Sequence, residues 1–234
     1  MAPIVPYIPE TITVHLGAPD AGAENVTVSF ADYVKNVVSS EIYPTWEPSA
    51  LRANMLAVIS YALNRVYTEY YRSRGYPFDI TSSTAIDQKF INGRNIYENI
   101  SALVDELFTD YLRKQGFVEP LAAKFCNGVT TTCDGLSQWG SQELAQTGAD
   151  SVRILRRYYG EDVQIVTNAP VQDLQESYPG SPVRRGEAVK RPPSPRSPLT
   201  PSSARRRKTP CARSSPFSRW PSTGSWAGRP GTRS

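Results

Sequence analysis

Polar and apolar residues alternate through Thr11-Ile12-Thr13-Val14-His15-Leu16, and again through Asn25-Val26-Thr27-Val28-Ser29-Phe30. Gly17, Pro19, Asp20 and Gly22 lie between the two runs, so the period of two predicts a β-hairpin following an extended N-terminal arm. The period then lengthens. Tyr33, Val34, Val37 and Val38 share one face of a helix expected over residues 30–42, capped near Ser29. After Pro44 and Pro48 a longer helix is expected, in which Leu51, Met55, Leu56, Val58, Ile59, Ala62, Leu63 and Val66 make an apolar surface too wide for one face. Such a helix is buried on more than one side. Gly75-Tyr76-Pro77 ends it. A short helix is expected over residues 85–90, a glycine turn at Asn92-Gly93, and an amphipathic helix over residues 96–114 carrying Ile100, Leu103, Val104, Leu107, Phe108 and Tyr111. Two further helices, over residues 141–148 and 151–159, and a closing strand over residues 163–167 complete a mixed α+β domain of helices on a small sheet, spanning residues 1–170.

From residue 181 the pattern stops. Ten of the twenty prolines fall in the last 54 residues, with many Ser and Arg and almost no aliphatic side chains. A segment of this kind buries too little apolar surface to offset its chain entropy, so residues 191–234 read as a disordered basic tail behind a linker at residues 171–190. Charge follows the same boundary. Residues 181–234 hold thirteen Lys or Arg against Glu187 alone, while the first 180 residues hold thirteen basic and twenty-one acidic side chains. The overall net charge of +4 therefore describes the tail, and the body is acidic. This excludes reading the domain itself as a specific nucleic-acid binder. No stretch reaches the roughly 18 apolar residues of a membrane span, and residues 1–6 lack the basic start and apolar run of a signal peptide.

Glu41 is the carboxylate that stands out. It lies at the C-terminal end of the expected helix, where the dipole disfavours negative charge, and Ile42, Tyr43 and Trp46 are near enough in sequence to desolvate it. Both effects favour the protonated form that a proton donor needs; the plain alternative is a partly exposed glutamate at a helix end. The second cluster is Gly135-Leu136-Ser137-Gln138-Trp139-Gly140. Gln138 can both donate to and accept from sugar hydroxyls or acetamido groups, and an exposed tryptophan face suits a sugar ring. Against this stands an N-cap at Ser137 or Ser141 with Trp139 in the core. Gln88, in Ile86-Asp87-Gln88-Lys89-Phe90, is by default an exposed polar residue. Cys126 and Cys133 have three readings: a disulfide, two metal ligands, or buried thiols. Zinc needs three or four ligands, and the single histidine, His15, is remote in sequence, so no metal or other cofactor is expected.

The order of these motifs resembles the SpoIID/LytB family (stage II sporulation protein D). Val37-Val38-Ser39-Ser40-Glu41, Trp46, Ala50-Leu51-Arg52-Ala53 and Ser60-Tyr61-Ala62-Leu63 are similar to its opening block; Asp79-Ile80 with Gln88-Lys89-Phe90 and Gly93 to its middle block; and Gly135 to Gly140, Leu144-Ala145, Gly148, Ile154-Leu155 and Tyr158-Tyr159-Gly160 to its closing block. The likeness covers residues 25–167. It implies a peptidoglycan-acting protein linked to sporulation or wall remodelling. As a lytic transglycosylase it would cleave between N-acetylmuramic acid and N-acetylglucosamine in glycan strands. Glu41 would then be acid and base, and Gln88, Ser137, Gln138 and Trp139 would line the substrate groove. The alternative the family offers is a non-catalytic wall-binding or spore-associated protein, or a modifier of amidases. Partners would be glycan strands and other sporulation or cell-wall hydrolases. The sequence leaves the location open between the mother-cell cytoplasm and the spore, with action expected at the cell wall. Two departures stand against activity: Val58-Ile59-Ser60 replaces the family's Ala-Arg-Thr, and the histidine of its metal pattern is absent. Residues 178–190 look like the opening of a small peptidoglycan-binding domain, and the abrupt change after Lys190 suggests a reading-frame shift near residues 184–191.

Overall fold

The computed structural model describes residues 6–172. The chain divides into two units, residues 1–185 and 186–234, and the described residues belong to the first. The suspected binding-domain remnant, the frame-shift point and the basic tail all lie outside the described residues.

Strand β1 (Ile8–Pro9) leads into the expected hairpin, β2 (Thr11–His15) and β3 (Asn25–Ser29), whose register pairs Thr11 with Ser29 and His15 with Asn25. Helix α1 (Phe30–Glu41) starts directly from β3, and the Ser29 hydroxyl accepts from the Asp32 N–H at 3.0 Å, satisfying one of the orphan donors of the first turn. Helix α2 (Pro48–Tyr67) carries Pro48 in its first turn, where no intrahelical donor is lost. It is the axis of the domain. Helices α1, α3 (Glu98–Leu107), α4 (Gln138–Gln146) and α5 (Ser151–Tyr159) and strands β4 (Ile80–Thr81) and β5 (Tyr111–Lys114) all pack against it, and Ala50, Ala53, Met55, Ala57, Ile59 and Leu63 are buried all round its circumference, as the wide apolar surface foretold.

Strand β4 (Ile80–Thr81) joins β2 in parallel to complete a three-stranded sheet of order β3-β2-β4. Helix α3 (Glu98–Leu107) is followed by β5 (Tyr111–Lys114), then β6 (Phe125–Cys126), β7 (Leu136–Ser137), α4 (Gln138–Gln146), α5 (Ser151–Tyr159), β8 (Val163–Val166) and β9 (Val171–Gln172). Strands β5 and β8 pair antiparallel, β6 and β7 parallel, and β1 and β9 parallel.

Three local expectations need correction. The helix over residues 96–114 ends at Leu107. Asp110 turns the chain, accepting from the Asn168 N–H at 2.9 Å, and residues 111–114 pair with β8 while Leu112 N–H donates to the Ser60 hydroxyl at 2.8 Å. Long-range partners there outcompete the i to i−4 ladder. Residues 85–90 form no helix: the Ile86 and Asp87 N–H groups close a single turn on the Ser83 carbonyl at 3.0 and 2.8 Å, and the Lys89 N–H goes to Glu41 Oε1 instead of continuing a ladder. The helix expected over residues 141–148 begins three residues earlier, at Gln138, because Ser137 caps it by accepting from the Gly140 N–H at 3.0 Å.

Candidate functional site

Glu41 is the last residue of α1, half-buried on the wall of a groove of about 660 Å³. Its position exposes the carboxylate to the unfavourable end of the helix dipole, and two donors from distant elements compensate. Oε1 accepts from the Lys89 backbone N–H at 2.9 Å, and Oε2 from the Gln138 side-chain amide at 3.3 Å. The acid is thus held between the segment that follows β4 and the first turn of α4.

Helix α4 is fixed by buried polar joints. Asn54 of α2 donates to the Ser141 hydroxyl at 2.7 Å, which donates in turn to the Gln138 carbonyl at 2.6 Å. The Gln142 side-chain oxygen Oε1 accepts from the Glu47 N–H at 2.9 Å, tying the same turn to the start of α2. These bonds leave Gln138 nearly buried with its amide on Glu41, and Trp139 partly exposed at 37%.

Trp139 belongs to an aromatic cluster beside the acid. Its ring meets Trp46 edge-on with centroids 5.1 Å apart, and Tyr43 lies 5.8 Å from Trp139 and 5.9 Å from Trp46. Trp46 is buried and anchors the group, while Tyr43 is 57% exposed. The result is an apolar platform against the groove, with ring faces that can cover the carbon-bound hydrogens of a sugar.

Residues 125–133 supply a further part of the rim. Cys126 and Cys133 are joined in a disulfide with Cα atoms 6.0 Å apart, which decides among the three readings of that pair. Both line the groove with Phe125, Asn127 and Thr131. The loop is seated on α4: the Asn127 carbonyl accepts from the Trp139 N–H at 3.2 Å, and a Cβ on Gly128 would lie 1.9 Å from the Ser137 hydroxyl. With φ at +85°, Gly128 meets both a conformational and a spatial demand that other residues do not. Among the described residues no three His, Cys, Asp or Glu side chains gather as a metal centre would require, and no helix is long and apolar enough to cross a membrane.

Of the residues singled out in the sequence, Glu41, Gln138 and Trp139 meet in this groove. Ser137 does not line it; its hydroxyl is spent on the α4 cap, so it positions its two neighbours. Gln88 is fully buried, accepting from the Tyr33 hydroxyl at 2.9 Å and donating to the Val58 carbonyl at 3.1 Å. Both ends of its amide are thereby engaged inside the protein, and the expectation that it faces substrate is corrected to an internal strut. Burial, with the charges of Asp87, Tyr61 and Glu41 adding to it, pushes the Tyr33 phenol well above its ordinary range, so it stays a donor to Gln88.

Tyr43, placed beside Glu41 by its sequence neighbourhood, lines the groove, whereas Arg94 was missed by sequence reasoning. Arg94 lines the groove and donates to the Ser40 hydroxyl at 2.8 Å, beside the acid. The one local signal was a cation directly after the Asn92-Gly93 turn, and nothing in the chain says that this turn folds back onto the end of α1.

Residues 22–108 match the family model SpoIID, described as stage II sporulation protein. The matched span runs from just before β3 through the end of α3 and contains Glu41, Lys89 and Arg94. The closing block, with Gln138 and Trp139, lies beyond it. No curated protein matches the chain.

Proposed function

We propose that the groove binds peptidoglycan glycan strands and that Glu41 cleaves them as a lytic transglycosylase. The observation that carries this reading is a half-buried carboxylate flanked by an exposed aromatic platform, inside a segment that matches the SpoIID family. Protonated Glu41 donates to the oxygen linking N-acetylmuramic acid to N-acetylglucosamine, and the bond to the muramoyl anomeric carbon breaks. The carboxylate left behind removes a proton from the muramoyl 6-hydroxyl, whose oxygen closes on that carbon. One end becomes a 1,6-anhydro sugar, the other a free 4-hydroxyl, and no water is consumed. A single residue acting first as acid and then as base suffices, so no second carboxylate at glycosidase spacing is required. Oε2, held only by the longer Gln138 contact, is the oxygen freer to carry the transferred proton.

The departures from the family pattern weigh less once placed. Ile59 is fully buried and Ser60 ties α2 to β5, and neither lines the groove. The disulfide on the rim suits an oxidising compartment, where wall polymer is found.

The binding half of the proposal has its own test. Trp139→Ala is expected to weaken retention on purified glycan strands on the order of tenfold, as exposed aromatic anchors commonly do. Its thermal midpoint should fall little, because the ring is partly exposed. Unchanged retention, measured by co-sedimentation over a concentration series, would remove the aromatic platform from the substrate site.

A further inference from the structure

The side chain of Asp87 is completely buried, and five donors meet its two oxygens. Oδ1 takes Tyr61 Oη and Arg65 Nε, each at 3.0 Å. Oδ2 takes Tyr71 Oη at 2.5 Å, the Thr81 N–H at 3.0 Å and the Thr81 hydroxyl at 2.7 Å. A buried carboxylate is tolerable only when paired and fully hydrogen-bonded, and this one is both.

What the cluster holds is the chain that follows. The Tyr61 hydroxyl shares its one hydrogen between Asp87 and the Ile86 carbonyl, which lies 3.1 Å away. Gln88 is pinned to Tyr33 and Val58, and Ile91 exchanges two bonds with Asn36, its N–H donating at 2.9 Å and its carbonyl accepting at 2.7 Å. Between these anchors Lys89 presents its backbone N–H to Glu41 Oε1 at 2.9 Å. Asp87 thus stands at one end of a braced pentapeptide whose central N–H reaches the groove acid.

We infer that Asp87 is a positioning residue: by fixing residues 87–91 against α2 and β4, it sets the place at which the Lys89 N–H holds the Glu41 carboxylate. The inference rests on the proposed function for its catalytic consequence, not for its geometry. The donors are durable. Burial first, then the hydrogen bond to Asp87 and its charge, push the Tyr71 phenol above its ordinary range; burial and the Asp87 charge do the same for Tyr61. Both remain protonated donors wherever the protein is folded near neutral pH. Neither Tyr71 nor Thr81 lines the groove, so changes there reach Glu41 only through the segment.

Tyr71→Phe removes the shortest bond of the five, and Thr81→Val removes another while keeping the side chain's branching; the second serves if the first folds poorly. Two readouts separate positioning from bulk stability. The first is the Lys89 amide in ¹⁵N-labelled protein. In either variant its proton resonance is expected to move toward the position it takes in Glu41→Ala, where no side-chain acceptor remains. The second is turnover of glycan strands per folded molecule: kcat is expected to fall about tenfold with KM held, in keeping with the cost of a misplaced catalytic group. A lowered thermal midpoint with the Lys89 amide and kcat both unmoved would overturn the inference and leave Asp87 a strut of the fold. If the wild type releases no product, the proposed function fails while the amide comparison still decides the positioning.

Discussion

Glu41→Gln is expected to abolish cleavage of glycan strands while leaving both the fold and glycan retention in place. General acid–base catalysis contributes typically about 10²–10⁴-fold, and the proposed mechanism gives one residue both transfers, so a loss at or beyond the upper part of that range is expected. The structure explains why the protein should tolerate the change. The amide oxygen of a glutamine can still accept from the Lys89 N–H, and Gln138 can turn its own amide to present a carbonyl to the new NH₂ group. Glu41 is also only half-buried, so stability should move by no more than about 0.5 kcal/mol. The pattern is the reverse of Trp139→Ala, which is expected to lose binding first. Turnover assayed beside co-sedimentation separates them. A Glu41→Gln variant that still cleaves at a tenth of the wild-type rate would move the chemistry to another group.

Gly135→Ala carries the largest expected effect on stability. A Cβ there would lie 2.2 Å from the Lys124 carbonyl oxygen and 2.7 Å from its carbon. The obstacle is backbone that itself accepts from the Leu136 N–H at 3.0 Å, so it cannot swing aside as a flexible side chain would. Relief requires β6 and β7 to part. Parting them strains the seat of the disulfide loop and the Asn127 bond to Trp139. Overpacking of this kind costs typically about 1–3 kcal/mol, and loss of strand pairing places the expected value at or above the upper end. Gly22→Ala is the control: nothing stands within 4 Å of its added Cβ, and a change within about 0.5 kcal/mol is expected. Urea denaturation of the two variants measures both. Equal midpoints would mean that the β6–β7 pairing is not rigid.

The elements legible in the sequence are those with a period of their own. Alternation marked β2 and β3, a single apolar face marked α1, and an apolar surface on every side marked α2 as the buried axis. The two-residue strands β1, β4, β6, β7 and β9 have no period to read, and they exist through pairings such as Ile8 with Val171 and Val14 with Ile80. Tyr111 and Leu112 misled for a related reason. They continue the helical spacing of α3, yet the Ser60 hydroxyl and the β8 backbone take their polar groups. In the groove, Glu41 and Trp139 were singled out by the order of the motifs around them, since local context alone left each a plain alternative. Gln88 was misjudged because glutamine is usually exposed, and only the fold sets Tyr33 and Val58 at the two ends of its amide. Arg94 and the Asp87 cluster needed closure between elements as much as 55 residues apart, as the Asn36 and Ile91 bonds show. No local pattern encodes that.

Purified glycan strands incubated with the folded wild-type chain, with their new ends identified by mass spectrometry, provide the most direct test of the chemistry assigned to Glu41. Release of 1,6-anhydro-muramoyl ends, lost in Glu41→Gln, is the expected result. Reducing ends formed by addition of water, or strands that bind the folded protein and stay uncut, would contradict it.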